Sequence, residues 1–208
     1  MITMDGKREE EVDKTNMELE TSESSYPGSG SLHIPIDLFG SKKHAGAPRG
    51  VLAFADALGN ILFTVNRHPP NRNYKKKLLL DASGNIIFSI YRHEKGSWKC
   101  YKGNGDGDKD LVFRVERTLK TLTRVELEVF FDGERPNNEG CDLKLRGSPF
   151  QRSCSIYKDT DLVAQASLMY KLHQLYVSRG KFCLTIFPGT LDNALVVALF
   201  VIFLNGRK

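Results

Sequence analysis

Several features that would assign an activity directly are missing from this sequence of 208 residues. It has four cysteines but no CxxC pair, and its five histidines show neither HExxH nor HxH spacing. The glycine-rich signatures of nucleotide-binding sites and of serine hydrolases are also missing. The sequence therefore predicts no catalytic residues, no metal site and no cofactor, and we expect a protein that is not an enzyme.

Signals for export are missing as well. The N-terminus has no apolar run of the kind found in signal peptides, and no Asn-x-Ser/Thr sequon occurs. The dispersed residues Cys100, Cys141, Cys154 and Cys183 are typical of free thiols in a reducing compartment. We expect a cytoplasmic protein, with a peripheral position at the plasma membrane or a nuclear one left open.

The longest apolar run, residues 194–204, is too short to cross a membrane. A helix of that length spans ~16 Å, about half of a hydrocarbon core. Its β-branched residues would suit a strand, but Thr190 or Asp192 before it and Asn205-Gly206 after it are helix start and stop signals. A helix that is apolar on every side needs other structure around it. The side chains of this helix that we predict in the core are Leu195, Val196, Leu199, Phe200, Ile202 and Phe203.

Charge is distributed unevenly along the chain. Residues 1–30 carry eight acids and three bases, and their polar composition predicts a disordered acidic tail. Residues 31–208 carry 27 bases against 17 acids and are predicted to form one basic folded domain. A basic domain favours anionic partners such as lipid headgroups or nucleic acid, although a solvated surface alone also explains it.

Short alternating segments dominate the chain after residue 50. Asp56–Phe63 recurs as Asp81–Phe88, and each copy predicts a hairpin in which a Gly-Asn pair takes positive φ angles and the aspartate caps the turn. Later segments such as Val125–Val129 have one apolar and one polar face. Ten to twelve such strands and one apolar helix predict a closed antiparallel barrel with the helix as its core.

Two polar stretches are candidate binding sites. Asn104–Asp110 alternates like a calcium loop, but Lys109 replaces the required glycine and Val115 the required glutamate, so a polar loop is the better interpretation. The densest basic cluster is a candidate site for anionic ligands, with solvated strand residues as the alternative. Its members are Arg72, Lys75, Lys76 and Lys77.

An ordered set of motifs resembles the LURP-one-related proteins of plants over residues 50–205. The motifs are Asp81–Phe88, Trp98–Gly103, Cys141–Gly147, Arg152–Tyr157, Val163–Gln165, Phe187-Pro188 and Asp192–Leu199. The resemblance implies a fold like that of the tubby C-terminal domain and the phospholipid scramblases, a closed twelve-stranded barrel threaded by a hydrophobic C-terminal helix. It also implies a role in plant defence, with no firmly attached enzymatic activity.

Three functions follow from these patterns. The first is a non-enzymatic tubby-like binding module that recognises anionic lipid headgroups in defence signalling. The second is a transcription-linked or protein-interaction factor, and the third is a scramblase-like lipid transporter, which the short apolar run disfavours. The opening strand is predicted within His33–Phe39, where Pro35 would confine it to an edge of the barrel.

Overall fold

A computed structural model describes residues 34–67, 75–93, 96–105, 107–121, 123–133, 140–169, 180–189 and 191–206. The predicted acidic tail, residues 1–30, lies outside these ranges. The chain divides into residues 1–32 and 33–208, and the fold below is that of the second unit.

The described residues of the second unit form twelve strands and one long helix, in the order that the alternating sequence segments predict. The strands are β1 Ile36–Ser41, β2 Leu52–Ala55, β3 Ile61–Arg67, β4 Lys75–Leu80, β5 Ile86–Arg92, β6 Ser97–Lys102, β7 Leu111–Lys120, β8 Val125–Phe131, β9 Leu143–Ser148, β10 Ser153–Lys158, β11 Asp161–Leu168 and β12 Lys181–Ile186. A short 3-10 helix, Asp108–Asp110, precedes β7, and the helix α1 is Asn193–Asn205.

The strands close into a single barrel. Each strand pairs antiparallel with its neighbours in sequence, and β1 pairs with β12 to complete the ring. Closure of the sheet follows from the pattern of the strands. Each strand has one apolar face to bury, and a closed sheet leaves no unpaired edge. The predicted fold class, a mainly β protein with a closed barrel of about twelve strands around a hydrophobic C-terminal helix, is confirmed.

The interior of the barrel is filled by alternate side chains of the strands and by α1. Val125, Leu127 and Val129 are buried in β8, while Glu126 and Glu128 between them face outward. The same period of two along the other strands gives every strand an inner and an outer face. Inner and outer positions can therefore be followed from strand to strand through the hydrogen-bonded register.

The helix α1 is thirteen residues long and almost fully enclosed. Of the six side chains predicted in the core, five are buried, and the sixth, Leu195, is partly buried and packs against the core. The ring of Phe200 lies with its centroid 5.1 Å from that of Phe182 and 6.5 Å from that of Phe54. These rings join the helix to β12 and β2.

Each end of α1 is held by a specific contact. The backbone N–H of Ala194 donates to the Asp192 carboxylate at 3.2 Å, so Asp192 is the N-cap. At the other end Gly206 has φ of −60°, and thus lacks the left-handed conformation usual for a terminating glycine. A Cβ at Gly206 would instead lie 3.1 Å from a methyl group of Val125, so close packing against β8 explains this glycine.

Two sequence predictions need correction. In the twin hairpins only the glycines, Gly59 and Gly84, have positive φ, and the asparagines after them do not. Each turn reverses the chain with a single residue in the left-handed conformation. This is enough because a one-residue shift in register follows each turn and supplies the rest of the twist. The opening strand also differs: β1 begins after Pro35 and pairs on both sides, so the proline precedes the sheet and marks no edge.

Candidate functional site

The connections between strands separate the charges of the barrel into two ends. Neighbouring strands run in opposite directions, so every second connection lies at the same end. We name the end where α1 begins the aspartate end, and the end where α1 finishes the basic end. The position of Gly206 beside Val125, the first residue of β8, fixes which end is which.

The aspartate end carries eight aspartates and one cation, Lys109, in the connections that the structure describes. These aspartates are Asp56, Asp81, Asp108, Asp110, Asp132, Asp142, Asp159 and Asp192. Several of them have a local task, because aspartate accepts hydrogen bonds from turn N–H groups. Asp56 accepts from the backbone of Leu58 at 2.9 Å and of Asn60 at 2.8 Å.

The basic end carries five cations and no carboxylate in its described connections. They are Lys42, Lys43, Arg49, Arg124 and Arg152. Strand residues close to this end add further cations: Lys77, Arg92, Arg117, Lys120 and Lys181. This end of the barrel is thus basic in the described residues, while other cations, such as Lys102, Lys109 and Lys158, lie at the opposite end.

The helix dipole agrees with this distribution of charge. The N-terminus of α1, which carries partial positive charge, faces the aspartate end and is capped by Asp192. At the negative C-terminus, the Arg117 guanidinium donates from Nη1 to the Gly206 carbonyl at 2.8 Å. The helix and the strand connections therefore favour the same polarity.

The structure distributes the predicted basic cluster over different faces. Arg72 lies outside the described residues, and only the backbone of Lys75 is described. In β4, Lys77 shares the inner face with buried Leu79 and lies close to the basic end, whereas Lys76 points outward. The four residues are therefore not seen as one patch, although β4 begins at the basic end.

Lys76 is fixed on the outer face of the barrel. Its ammonium lies 4.9 Å from the centroid of the Tyr91 ring and donates to the Asn104 side-chain oxygen at 2.8 Å. Tyr91 in turn packs edge-to-face against Tyr101, with ring centroids 5.4 Å apart. This lysine is consequently held in place as well as charged.

The loop considered for calcium joins two strands, β6 and β7, as predicted for a polar connection. Asn104 accepts a hydrogen bond from Lys76, and Asp110 donates its N–H to the Gly107 carbonyl at 3.0 Å. Asp106 lies outside the described residues. No group of three or more metal-ligating side chains occurs in the part of the chain that the structure describes.

The four cysteines are free thiols. Cys100 in β6 and Cys154 in β10 are buried in the core of the barrel, and burial raises the pKa of both thiols far above its ordinary value. Burial also raises the pKa of the partly exposed Cys141 and Cys183, assisted at Cys183 by the nearby Asp37 carboxylate. High thiol pKa values make these side chains poor nucleophiles.

The basic end was missed by sequence reasoning, although its signal is present. Aspartate recurs in every second connection between strands, and lysine or arginine recurs in the connections between these. Because neighbouring strands run in opposite directions, this pattern places the aspartates at one end of the barrel and the cations at the other. A search for clusters along the sequence finds Lys75, Lys76 and Lys77 but overlooks cations more than a hundred residues apart, such as Lys43 and Arg152.

Comparison with known proteins identifies the family. A family description, LURP-one-related, matches residues 36–204, which span the barrel and its helix. The chain belongs to the LURP-one-related family. Protein LURP-one-related 7 of Arabidopsis thaliana is 48% identical over 173 residues, covering 83% of this chain and 91% of that protein.

Other LURP-one-related proteins are similar at lower identity. Protein LURP-one-related 15 of Arabidopsis thaliana is 27% identical over 81% of this chain and 78% of its own length. A crystal structure of an Arabidopsis thaliana protein superposes with a TM-score of 0.60 at 28% identity, covering 82% of this chain and 90% of that one. The barrel of this LURP-one-related chain thus has a counterpart of known structure.

Proposed function

We propose that this LURP-one-related chain is a non-enzymatic binding module that recognises anionic lipid headgroups with the basic end of its barrel, in plant defence signalling. The separation of charge between the two ends carries the proposal. Lipid headgroups form a plane, and a barrel end that presents cations without described carboxylates in its connections is complementary to that plane. The choice of defence signalling comes from the family resemblance.

The magnitudes favour binding through the end. Each lysine or arginine near an anionic membrane contributes about 1 kcal/mol, so the exposed connection cations Lys42, Lys43, Arg49 and Arg124 are enough for reversible attachment. A strand of six residues is ~20 Å long, and tilting in a barrel leaves about 15 Å between the ends. Since the Debye length is about 8 Å at physiological salt, the aspartates of the far end oppose this attraction only weakly.

The proposed attachment needs no inserted segment. No helix within the described ranges is long and apolar enough to cross a bilayer. The apolar helix α1 is enclosed by strands, with Val196 to Phe203 all buried. Contact with lipid would therefore depend on surface cations.

Vesicle flotation at physiological salt tests the proposal. The full chain should float with phosphatidylcholine vesicles that contain phosphatidylserine or a phosphoinositide, and should not float with phosphatidylcholine alone. Replacing two exposed lysines of the basic end, Lys43→Glu with Lys120→Glu, should reduce flotation about tenfold or more, because four units of charge are removed from the contact.

A matched variant controls for net charge. Lys109→Glu with Lys158→Glu makes the same charge change at exposed lysines of the aspartate end and should leave flotation nearly unchanged. Equal losses in the two variants would show that binding follows net charge and not the basic end. Absence of flotation with any anionic vesicle would refute the lipid proposal itself.

A further inference from the structure

One row of side chains on the outer face of the barrel combines cations with aromatic rings. Five outward residues, one on each of the neighbouring strands β4 to β8, form a row in which each residue is directly opposite the next across the strand pair. They are Lys76, Tyr91, Lys99, Arg114 and Phe130. We name this row the cation–aromatic stripe; it contains three cations, two aromatic rings and no carboxylate.

The opposite side of the barrel provides a comparison. There the register aligns outward residues of β1, β12, β11, β10, β9 and β8 that are mostly neutral or paired. Its one cation, Arg146, lies 3.7 Å from the Glu126 carboxylate, and the Thr185 hydroxyl donates to Asp37 at 2.6 Å. The cation of that row is paired with a carboxylate of the same row, whereas the stripe contains no carboxylate that could pair with its cations.

The centre of the stripe places like charges together. Lys99 and Arg114 are directly opposite each other across β6 and β7. Like charges at such positions destabilise an antiparallel pair. The next outward row contains Glu116 and Glu128, but Glu128 already pairs with Lys144 at 3.7 Å. A bound anion between Lys99 and Arg114 would relieve the repulsion.

Each aromatic ring of the stripe is contacted by a cation of the same stripe. Lys76 lies over the Tyr91 ring, and the Arg114 guanidinium lies 4.9 Å from the centroid of the Phe130 ring. Tyr91 and Phe130 are outward-facing and only partly buried. A ligand that carries several negative charges and flat apolar groups matches this combination of side chains, and single-stranded nucleic acid has both.

We propose that the cation–aromatic stripe binds single-stranded nucleic acid without strong sequence preference. Phosphates would contact Lys76, Lys99 and Arg114, and bases would stack on the rings of Tyr91 and Phe130. The stripe crosses five strands spaced ~4.8 Å apart, so it is about 19 Å long and accommodates about four nucleotides. It lies on the wall of the barrel and is separate from the connections of the basic end.

Fluorescence anisotropy with a labelled oligo-dT of about fifteen nucleotides tests the proposal, using the full chain at low salt. Three phosphate contacts predict that the logarithm of the association constant falls with the logarithm of salt concentration with a slope of about −2. Lys99→Gln with Arg114→Gln should weaken binding about tenfold and bring the slope to about −0.7. Phe130→Leu should weaken binding about fivefold while leaving the slope unchanged.

Matched controls separate the stripe from net charge and from other polyanions. Lys109→Gln with Lys158→Gln removes the same charge off the stripe and should leave the affinity for oligo-dT unchanged. Unlabelled polyphosphate should bind wild type and Phe130→Leu with equal affinity, since it has no bases to stack on the ring. Competition with labelled oligo-dT measures that affinity. Thermal melting of each variant checks that the fold is retained.

Several results would overturn the proposal. These are no binding of oligo-dT at low salt, equal weakening in the off-stripe variant, and no effect of Phe130→Leu. Tighter binding of a phosphorylated peptide than of oligo-dT would also overturn it and assign the stripe to a protein partner. Vesicle flotation should be unaffected by the stripe variants, so failure here is distinguishable from failure of the lipid proposal.

Discussion

The aromatic ring of Phe182 occupies the space that a side chain on Gly40 would need. Gly40 lies opposite Phe182 in the β1–β12 pair, and a Cβ built on it would overlap the ring carbons. The ring is fully buried and packs at a centroid distance of 5.8 Å from Phe54 and 5.1 Å from Phe200. The glycine thus allows Phe182 to join the strand closure to the helix.

Gly40→Ala should therefore destabilise the domain by about 1–3 kcal/mol, because the ring must move within a closely packed core. Urea denaturation followed by tryptophan fluorescence measures the change. Gly107→Ala is the control: nothing lies within 4 Å of a Cβ there, and φ is −86°. Equal stability of wild type and Gly40→Ala would contradict the packing described.

A charge in the middle of α1 should prevent folding. Leu199 is completely buried, so Leu199→Asp places an ion in the core without a partner, and we expect loss of the cooperative thermal transition. Leu199→Ala, which only leaves a cavity, should fold but lose about 2–5 kcal/mol. Leu58→Asp, at a side chain that is 88% exposed, should melt like wild type. A soluble Leu199→Asp protein with an unchanged melting curve would disprove the enclosed helix.

The twin turns predict a specific dependence of stability on pH. Hydrogen bonds from the Asn60 side chain and neighbouring backbone lower the pKa of Asp56, and the equivalent bonds from Asn85 lower the pKa of Asp81. A carboxyl with a lowered pKa in the folded state stabilises that state above its unfolded pKa of about 4, and the contribution is lost as pH falls further. Wild type should thus lose stability below about pH 4.

The double variant Asp56→Asn, Asp81→Asn tests this dependence. It should be less stable than wild type at neutral pH, and its stability should fall less steeply in acid, so that the difference between the two curves shrinks as the pH falls below about 4. Denaturation midpoints across this range provide the measurement. Parallel curves for the two proteins would show that the turns do not contribute through ionisation.

Thiol reactivity should divide the cysteines into two classes. Cys141 and Cys183 are partly exposed, whereas Cys100 and Cys154 are buried and their thiol pKa values are raised strongly. Alkylation of the native protein at about pH 8 should modify Cys141 and Cys183 first, as mass spectrometry of peptides can show. In denaturant all four should react at similar rates. Early modification of Cys100 would indicate an opening of β6 that the structure does not contain.

The fold was largely predictable because its elements depend on short-range patterns. Alternation in β7 to β9 sets which face is buried, and the apolar run from Ala194 to Leu204 requires a surrounding sleeve. Details that depend on tertiary packing were not predictable. Gly206 looks like a terminating glycine in sequence, yet the proximity of Val125 explains it, and only the folded barrel brings these residues together.

The candidate surfaces were less predictable than the fold. Lys75, Lys76 and Lys77 attract notice because they are adjacent in sequence, but adjacency in a strand sends neighbouring side chains to opposite faces. The stripe depends on register across five strands, and a shift of one residue in any pair would break it. Sequence alternation gives the face of a residue without giving its partner on the next strand.

The enclosure of α1 also constrains how the protein is made. Because α1 follows β12 in the chain, a ribosome completes all twelve strands before it supplies the segment that fills their interior. The ring itself closes only when β12 is available to pair with β1. Until then the apolar inner faces of the earlier strands are not packed against α1, and nascent chains with exposed apolar surface are prone to aggregate. We therefore expect folding to finish after synthesis of the barrel sequence and to depend on chaperones that shield those faces in the meantime.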